Sequence, residues 1–248
     1  MQVVRTFKPR RRPLTPERAA LMERLAPAWC LDETGDTVDV AATFGRVAPL
    51  VLDIGIGLGD SLTEMALADP DTDLIGCDVH TPGIASTLAR IESMGLTNVR
   101  LVHGDALVFL DRIGPGTLAG IRIYFPDPWP KARHRHRRMT SEHNVDRFAR
   151  LLAPGGFLHV ATDIDDYALQ TERICDANDA LEGGIVDRPA WRPVTRYERK
   201  GLASAHAITD LLYRVSMVGK ERMMTSGSDA RGHIEPTALT TPERDGSR

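Results

Sequence analysis

Cysteine is scarce in this 248-residue chain, and the three that occur predict neither a disulfide framework nor a zinc site. Cys30, Cys77 and Cys175 lie far apart and form no Cys-x-x-Cys pair. Long apolar runs are also missing. None approaches the roughly 18–20 residues of a membrane helix, and none follows the basic N-terminus as a secretory signal requires. We therefore expect a cytoplasmic protein with reduced thiols, no membrane span and no bound metal.

The chain also lacks a strong net charge, and its formal value of −3 gives no general reason to expect a nucleic-acid partner. Positive charge is nevertheless concentrated in two runs, at residues 5–12 and at residues 131–138, which read KARHRHRR. A local cluster of cations binds phosphate groups whatever the net charge of the whole protein. A solvated tail or loop would have the same composition, so both interpretations stay open at this point.

The two ends of the chain differ in composition from its centre. Residues 1–14 are basic and contain proline, and residues 219–248 are polar without periodicity. Such a tail cannot bury enough apolar surface to offset the entropy lost on ordering. Hydrophobic residues make up 42% of the chain, enough for one sizeable core. We expect a basic flexible segment over 1–14, one domain over 15–218 and a disordered tail over 219–248.

Between the ends, short apolar runs bounded by Gly, Pro or Asp alternate with helical patterns. Strands that alternate with helices predict an α/β domain with a doubly wound, mostly parallel sheet of the Rossmann-like kind. The ligand of such a sheet lies outside the carboxyl ends of its strands. The predicted strands are 49–55, 73–79, 98–104, 120–126 and 155–161; the predicted helices are 16–29, 60–68, 82–94, 106–113, 140–152 (with Thr140 as N-cap) and 164–178.

The first predicted strand leads directly into a glycine loop, Gly55-Ile56-Gly57-Leu58-Gly59. A dinucleotide site would carry the spacing GxGxxG, because its pyrophosphate approaches the N-terminus of the following helix. This loop has the spacing GxGxG instead. Asp53, at the end of the strand, would repel a diphosphate but suits the ammonium group of S-adenosylmethionine. The combination favours a methyltransferase over a dinucleotide-binding protein.

Two further acids end the next two predicted strands. Asp78 lies where a carboxylate could accept hydrogen bonds from both ribose hydroxyls of a nucleoside. Asp105 could accept one from the adenine amino group. Either could instead cap the following helix, and Asp105 could do both. Three acids at three successive strand ends predict a nucleoside-containing cofactor more specifically than any one of them.

The fourth predicted strand is followed by Phe125-Pro126-Asp127-Pro128-Trp129. The two prolines bracket Asp127, fix the local backbone and remove two hydrogen-bond donors. A rigid carboxylate beside an aromatic ring at this end of the sheet lies where a methyl acceptor would bind. We therefore predict that Asp127 is catalytic; the alternative is a purely structural turn rich in proline and tryptophan.

With this block the chain resembles the bacterial tRNA (guanine-N7-)-methyltransferase family. FPDPWPKARHxxRR is the most specific match, because ordinary methyltransferases lack it. The resemblance covers about residues 47–215. Its segments are, in family order, DIGIGLGDSL, CDVHTPGIA, GDAL, YFPDPWPKARHRHRRM, HVATDIDDYA and RPVTRYERKGL, followed by His206 and Asp210.

The resemblance implies an enzyme that moves a methyl group from S-adenosyl-L-methionine to N7 of a guanine in the variable loop of tRNA. It implies that Asp163 and Glu198 hold the guanine edge, and that the cations of 131–138 hold tRNA phosphates. The implied cofactor contacts are Asp53, Gly55, Gly57, Gly59, Asp78, Asp105 and Asp127; the implied substrate contacts are Lys131, Asp163, Thr195, Arg196, Tyr197 and Glu198.

Some positions depart from the family pattern. Asp53 and Asp78 stand where many relatives have glutamate, and Arg196-Tyr197 replaces a commoner Lys-Phe pair while keeping a cation and a ring. Two other functions stay open on the sequence: a methyltransferase for another base or for protein, and a non-catalytic RNA-binding module on the same fold. A monomer and a homodimer are equally compatible with the sequence.

Overall fold

The computed structural model describes residues 6–7, 13–201 and 207–216. The predicted tail over 219–248 lies outside the described residues, as does most of the predicted basic segment over 1–14. The described residues form one sheet with helices on both of its faces. Two apolar clusters, one on each face, make up the core.

The sheet has eight strands within the described residues, in the order β1-β4-β3-β2-β5-β6-β8-β7. All neighbours pair in parallel except β8, which is antiparallel to both β6 and β7. The strand order therefore reverses between β2 and β5. This confirms the predicted doubly wound, mostly parallel sheet. The strands are β1 Cys30–Leu31, β2 Leu50–Ile54, β3 Asp73–Asp78, β4 Val99–His103, β5 Leu118–Tyr124, β6 Leu152–Thr162, β7 Leu181–Val186 and β8 Thr209–Val215.

The helices divide between the two faces. Residues of α1, α3 and α4 build one apolar cluster, and residues of α5, α6 and α7 build the other. The helices are α1 Pro16–Trp29, α2 Val40–Phe44, α3 Asp60–Ala68, α4 Thr81–Met94, α5 Ala106–Phe109, α6 Glu142–Leu151, α7 Asp165–Asp176 and α8 Arg196–Gly201, with 3-10 turns at Leu110–Arg112 and Ala132–Arg137.

Local sequence explains why several elements begin and end where they do. Every residue of β2 is buried, as expected of a strand covered by helices on both faces. The Thr15 side chain caps α1 by accepting from the Arg18 backbone N–H, and Pro16 occupies the first helical turn, where its missing donor costs nothing. Gly95 ends α4 with φ +62°, a conformation that glycine adopts without steric cost.

The predicted N-cap of α6 is wrong. The helix begins at Glu142, with Ser141 in the cap position. Thr140 is fully buried, and its Oγ1 lies 2.7 Å from Oγ1 of Thr171 on α7. The Thr140 hydroxyl therefore forms a tertiary hydrogen bond instead of capping the helix.

The other strands and helices of the prediction occur close to their expected bounds, with one change and several omissions. The predicted helix over 106–113 is one α-helical turn that tightens into a 3-10 turn. The prediction missed β1, β7, β8, α2 and α8. β7 contains two adjacent glycines, which conceal a strand pattern, and it is paired by β8 from the far end of the domain.

Candidate active site

A cavity of about 1280 Å³ opens at the carboxyl ends of the strands, where the strand order reverses. This is the position in which a doubly wound sheet binds its ligand. Gly59, Lys131 and Glu198 are not among the described residues that line it. Ten of the predicted site residues do line it: Asp53, Gly55, Gly57, Asp78, Asp105, Asp127, Asp163, Thr195, Arg196 and Tyr197.

The glycine loop owes its shape to three positive φ angles, +82° at Gly55, +61° at Gly57 and +81° at Gly59. Side chains other than glycine rarely adopt these values. A Cβ at Gly59 would also overlap the side chain of Thr87, while one at Gly83 would overlap the Gly57 carbonyl oxygen. Gly55 and Gly57 therefore offer bare backbone to the cavity. Gly59 supports the loop against α4 from behind.

Asp53 is only 4% exposed although it lines the cavity. Burial raises the pKa of its carboxyl to about 6, and the charge of Arg122, its register partner on β5, opposes that rise. A buried carboxylate carries a desolvation cost that a bound cation would relieve. The site therefore fits the ammonium group of S-adenosylmethionine.

Asp78 braces the glycine loop. Its Oδ2 accepts from the Gly57 N–H and its Oδ1 from the His80 N–H, both at 2.8 Å. Burial raises the pKa of Asp78, and these two backbone donors oppose the rise. The N-cap position of α4 is His80, so Asp78 does not cap that helix. A carboxylate has about four acceptor positions, so Asp78 can also accept from ribose hydroxyls.

Asp105 caps α5, because its Oδ1 accepts from the Leu107 N–H at 2.9 Å. Its own backbone N–H donates to Oε2 of Glu33 at 2.7 Å. A Cβ at Gly104 would overlap the Glu33 carboxylate, so glycine there lets the acid approach the backbone. Sequence reasoning missed Glu33, because no local spacing connects it to Asp105.

The turn after β5 is held in an unusual backbone conformation. Phe125 has φ +50° and Trp129 has φ +43°, values that cost energy for residues other than glycine. The Trp129 indole N–H donates to the carbonyl oxygen of Thr6 at 2.8 Å. Such strain persists only where the surroundings impose it, and Asp127 lies between the two strained residues. The turn therefore presents Asp127 to the cavity on a rigid support.

A second part of the cavity wall joins the end of β6 to α8. Tyr197 is 53% exposed, its hydroxyl donates to Oδ2 of Asp163 at 3.0 Å, and its ring centroid lies 4.9 Å from that of Phe125. Two predicted residues, Asp163 and Tyr197, therefore meet here beside Phe125. A planar base stacked on the exposed ring would lie beside Asp163.

Glu198 has a different place from the one predicted. It is 3% exposed, and its Oε2 accepts from Arg192 Nη1 and from the Thr195 N–H, both at 2.7 Å. The Glu198 N–H in turn donates to Thr195 Oγ1 at 3.0 Å. This reciprocal pair is a capping box, which fixes the start of α8. We therefore assign Glu198 to holding α8 rather than to the guanine edge.

The basic run divides into buried and exposed cations. Arg138 is fully buried and donates to the Pro128 carbonyl oxygen, Asp166 Oδ2 and Gln170 Oε1. The prediction that Arg138 holds a phosphate is therefore wrong. Arg135 lies 2.9 Å from Asp166 Oδ1. Lys131 and Arg133 are exposed.

Neither a membrane-spanning helix nor a metal-binding cluster occurs among the described residues. No helix there has the length and apolar content needed to cross a membrane. The same residues contain no group of three or more His, Cys, Asp or Glu side chains arranged to hold a metal ion.

The fold, the glycine loop and the strand-end acids define an S-adenosylmethionine-dependent methyltransferase. The model of a family described as "Putative methyltransferase" matches residues 47–211. Relatives named tRNA (guanine-N(7)-)-methyltransferase include those of Streptomyces coelicolor, 44% identical over 85% of this chain and 80% of the relative, and Chromobacterium violaceum, 38% identical over 86% and 96%. The chain belongs to the tRNA (guanine-N(7)-)-methyltransferase family.

Solved structures support the fold. The 16S rRNA methyltransferase KamB is 16% identical, with a TM-score of 0.53 over 73% of this chain and 95% of that one. A 16S rRNA adenine N1-methyltransferase from Catenulisporales acidiphilia, solved with its cosubstrate, is 14% identical, with a TM-score of 0.51 over 71% and 89%. At such low identity the likeness concerns the architecture alone.

Proposed function

We propose that this protein transfers a methyl group from S-adenosyl-L-methionine to N7 of a guanine in the variable loop of tRNA. One observation carries the proposal. A single cavity is lined by the strand-end acids of β2, β3 and β4, by Asp127 and by the Asp163–Tyr197 pair. The strand-end acids suit a nucleoside cofactor, and the Asp163–Tyr197 pair suits a planar base.

The cofactor half of the cavity offers acceptors that suit three parts of S-adenosylmethionine. Asp53 would hold the ammonium group, Asp78 the ribose hydroxyls and Asp105 the adenine amino group, with Gly55 and Gly57 lying against the chain of the cofactor. When bound, the cofactor supplies an electrophilic methyl group on a sulfonium centre. The protein residues orient the acceptor toward it.

The chemistry of N7 explains why no strong base is needed. This nitrogen has an in-plane lone pair and carries no proton, so alignment with the methyl group is the main catalytic contribution. The product ring is cationic, and a fixed carboxylate stabilises positive charge as it develops. Asp127 would do this from its rigid turn. Asp163 would accept from the N1–H and amino edge of the guanine.

The tRNA would lie outside the cavity, across the exposed part of the basic run. In an RNA helix N7 faces the deep and narrow major groove, so the target base has to come from an irregular or splayed region. A variable-loop guanine meets that condition. Lys131 and Arg133 are exposed and would contact phosphates. A cytoplasmic location, where tRNA is found, belongs to the same proposal.

The test is methylation of an unmodified tRNA transcript with labelled S-adenosylmethionine, followed by reduction and aniline cleavage, which cuts RNA at N7-methylguanosine. We expect one cut, in the variable loop. A transcript with 7-deazaguanine at that position is the matched control, because it lacks N7. Label retained on the control, or on another base or protein, would contradict the proposal. Binding of tRNA without methyl transfer would indicate an RNA-binding module.

A further inference from the structure

A series of buried polar side chains runs from β5, where Tyr124 lines the reaction cavity, to β8. The Tyr124 hydroxyl lies 2.9 Å from Nδ1 of His159, and Nε2 of His159 lies 2.8 Å from Oδ1 of Asp210. A carboxylate only accepts hydrogen bonds, so Nε2 carries the proton and Nδ1 accepts from Tyr124. Burial, together with Arg192 and Arg122, lowers the pKa of His159 against the opposing effect of Asp210. This agrees with a neutral ring.

The series continues from β8 to α8 through one arginine. Arg192 donates from Nη2 to Asp210 Oδ2 at 2.9 Å and from Nη1 to Glu198 Oε2 at 2.7 Å. Glu198 forms the capping box that fixes α8. The Arg192 guanidinium also lies 5.7 Å from the centre of the Tyr124 ring. The hydrogen bonds and this ring contact together close a loop that ties α8 to the end of β5.

All five side chains of this series are nearly inaccessible. The largest exposed fraction is 9%, at Tyr124, and the others are 3% or less. Two carboxylates face one guanidinium here. Burying such charges costs desolvation energy, and well-packed apolar residues of similar volume often give equal or greater stability. Stability alone therefore does not account for the series.

Both ends of the series lie next to the reacting residues. Tyr124 is the last residue of β5 and precedes the strained turn that carries Phe125 and Asp127. Glu198 is in α8 beside Tyr197, whose ring touches Phe125. The series therefore connects the wall that bears Asp127 to the wall that bears Tyr197.

We propose that Tyr124, His159, Asp210 and Arg192 are positioning residues that hold these two walls at the separation the acceptor base needs. Tyr124 lines the cavity, but its hydroxyl is hydrogen-bonded to His159, so we place its effect, like that of the other three, in Asp127 and Tyr197 rather than in contact with the reacting atoms. The identity of the acceptor rests on the function proposed above. Loss of one link lets the base move relative to the methyl donor. The consequence is slower methyl transfer with little change in cofactor affinity.

The experiment compares Tyr124→Phe with Tyr213→Phe. Tyr213 is a matched control, because it is 1% exposed, it does not line the cavity, and its hydroxyl donates to Asp176 Oδ1 at 2.7 Å. Each substitution removes one buried hydroxyl and keeps its ring. Wild-type protein is assayed first on the same tRNA transcript, so that a failure of the proposed function is recognised independently.

We expect Tyr124→Phe to lower the single-turnover rate at saturating tRNA and cofactor by about tenfold, equal to about 1.4 kcal/mol. The single-turnover rate of Tyr213→Phe should stay within about twofold of the wild-type rate. Both should bind S-adenosylmethionine as the wild type does and lose similar thermal stability. If Tyr124→Phe does not fold, Asp210→Asn takes its place, because it keeps the shape and removes the charge.

Three results would overturn the proposal: a wild-type rate for the folded variant, equal loss of rate in the variant and in Tyr213→Phe, or a fall in cofactor affinity as large as the fall in rate. The expected result is a selective loss of rate with unchanged cofactor affinity. A merely structural role would not produce it, because lower stability reduces both readouts together.

Discussion

Oε2 of Glu33 accepts a hydrogen bond at 2.7 Å from the backbone N–H of Asp105, 72 residues further along the chain. The loop that carries Glu33 is itself attached to the residues after α5, since the Arg112 side chain donates to the Asp36 carbonyl oxygen and the Val38 N–H donates to the Arg112 carbonyl oxygen. Glu33 therefore fixes the backbone of Asp105, and the Asp105 side chain is the proposed acceptor for the adenine amino group.

Replacement of Glu33 by alanine should weaken binding of S-adenosylmethionine about five- to tenfold, because a hydrogen bond to a charged group contributes roughly 1.5–3 kcal/mol when buried and less at a half-exposed position. Glu33→Gln keeps an acceptor and should recover most of the affinity. Calorimetric titration gives both constants. Asp36→Ala, an exposed acid of the same loop, is the control. Equal affinities for Glu33→Ala and Asp36→Ala would refute this role.

The raised pKa of Asp53, about 6, predicts how cofactor binding depends on pH. The ammonium group of the cofactor binds the ionised carboxylate, so binding lowers the pKa of Asp53 and releases its proton where the free protein holds one. Affinity should be nearly constant from about pH 6 to pH 7, where the ammonium group stays protonated, and fall by up to about tenfold per pH unit below pH 6. Titrations between pH 5 and pH 7 measure this slope. The slope should vanish in Asp53→Asn, and a slope that persists there belongs to another group.

Asp127→Asn keeps the shape of the side chain and removes its charge. We expect the single-turnover rate of tRNA methylation to fall about 10- to 100-fold, with tRNA affinity little changed, because positive charge develops on the base only during transfer. Cofactor affinity is measured in parallel, since Asp127 lines the shared cavity. A rate near that of the wild type would leave Asp127 as a structural residue of the turn.

The basic run gives a prediction with its own internal control. Replacing Lys131 and Arg133 with alanine should weaken tRNA binding and flatten its salt dependence by a slope of about 0.7–0.9 per lost phosphate contact. Arg138→Met should instead lower the free energy of unfolding by about 1–3 kcal/mol, because buried hydrogen bonds are lost. Binding at several salt concentrations and thermal unfolding separate the two. An unchanged salt slope in the double variant would mean that these cations are only solvated.

Local sequence was sufficient to predict the fold class and the cofactor half of the site. A buried strand can be predicted from its own apolar run. The carboxyl ends of parallel strands meet at one edge of the sheet. Asp53, Asp78 and Asp105 were therefore placed together without knowledge of tertiary contacts. The glycine loop was also predictable, because its conformation depends on residues that are close together in the sequence.

The sequence by itself determined a doubly wound sheet, a nucleoside-cofactor loop and a rigid turn around Asp127, because these depend on residues close together in the chain. Only the tertiary structure decided which residues of the same chemical type are exposed to ligands and which are buried as supports of the fold. Arg133 is exposed while Arg138, in the same basic run, is enclosed by Pro128, Asp166 and Gln170. Glu33 likewise reaches Asp105 only across the fold. Burial and long-range partners set these roles, and neither is encoded in local spacing.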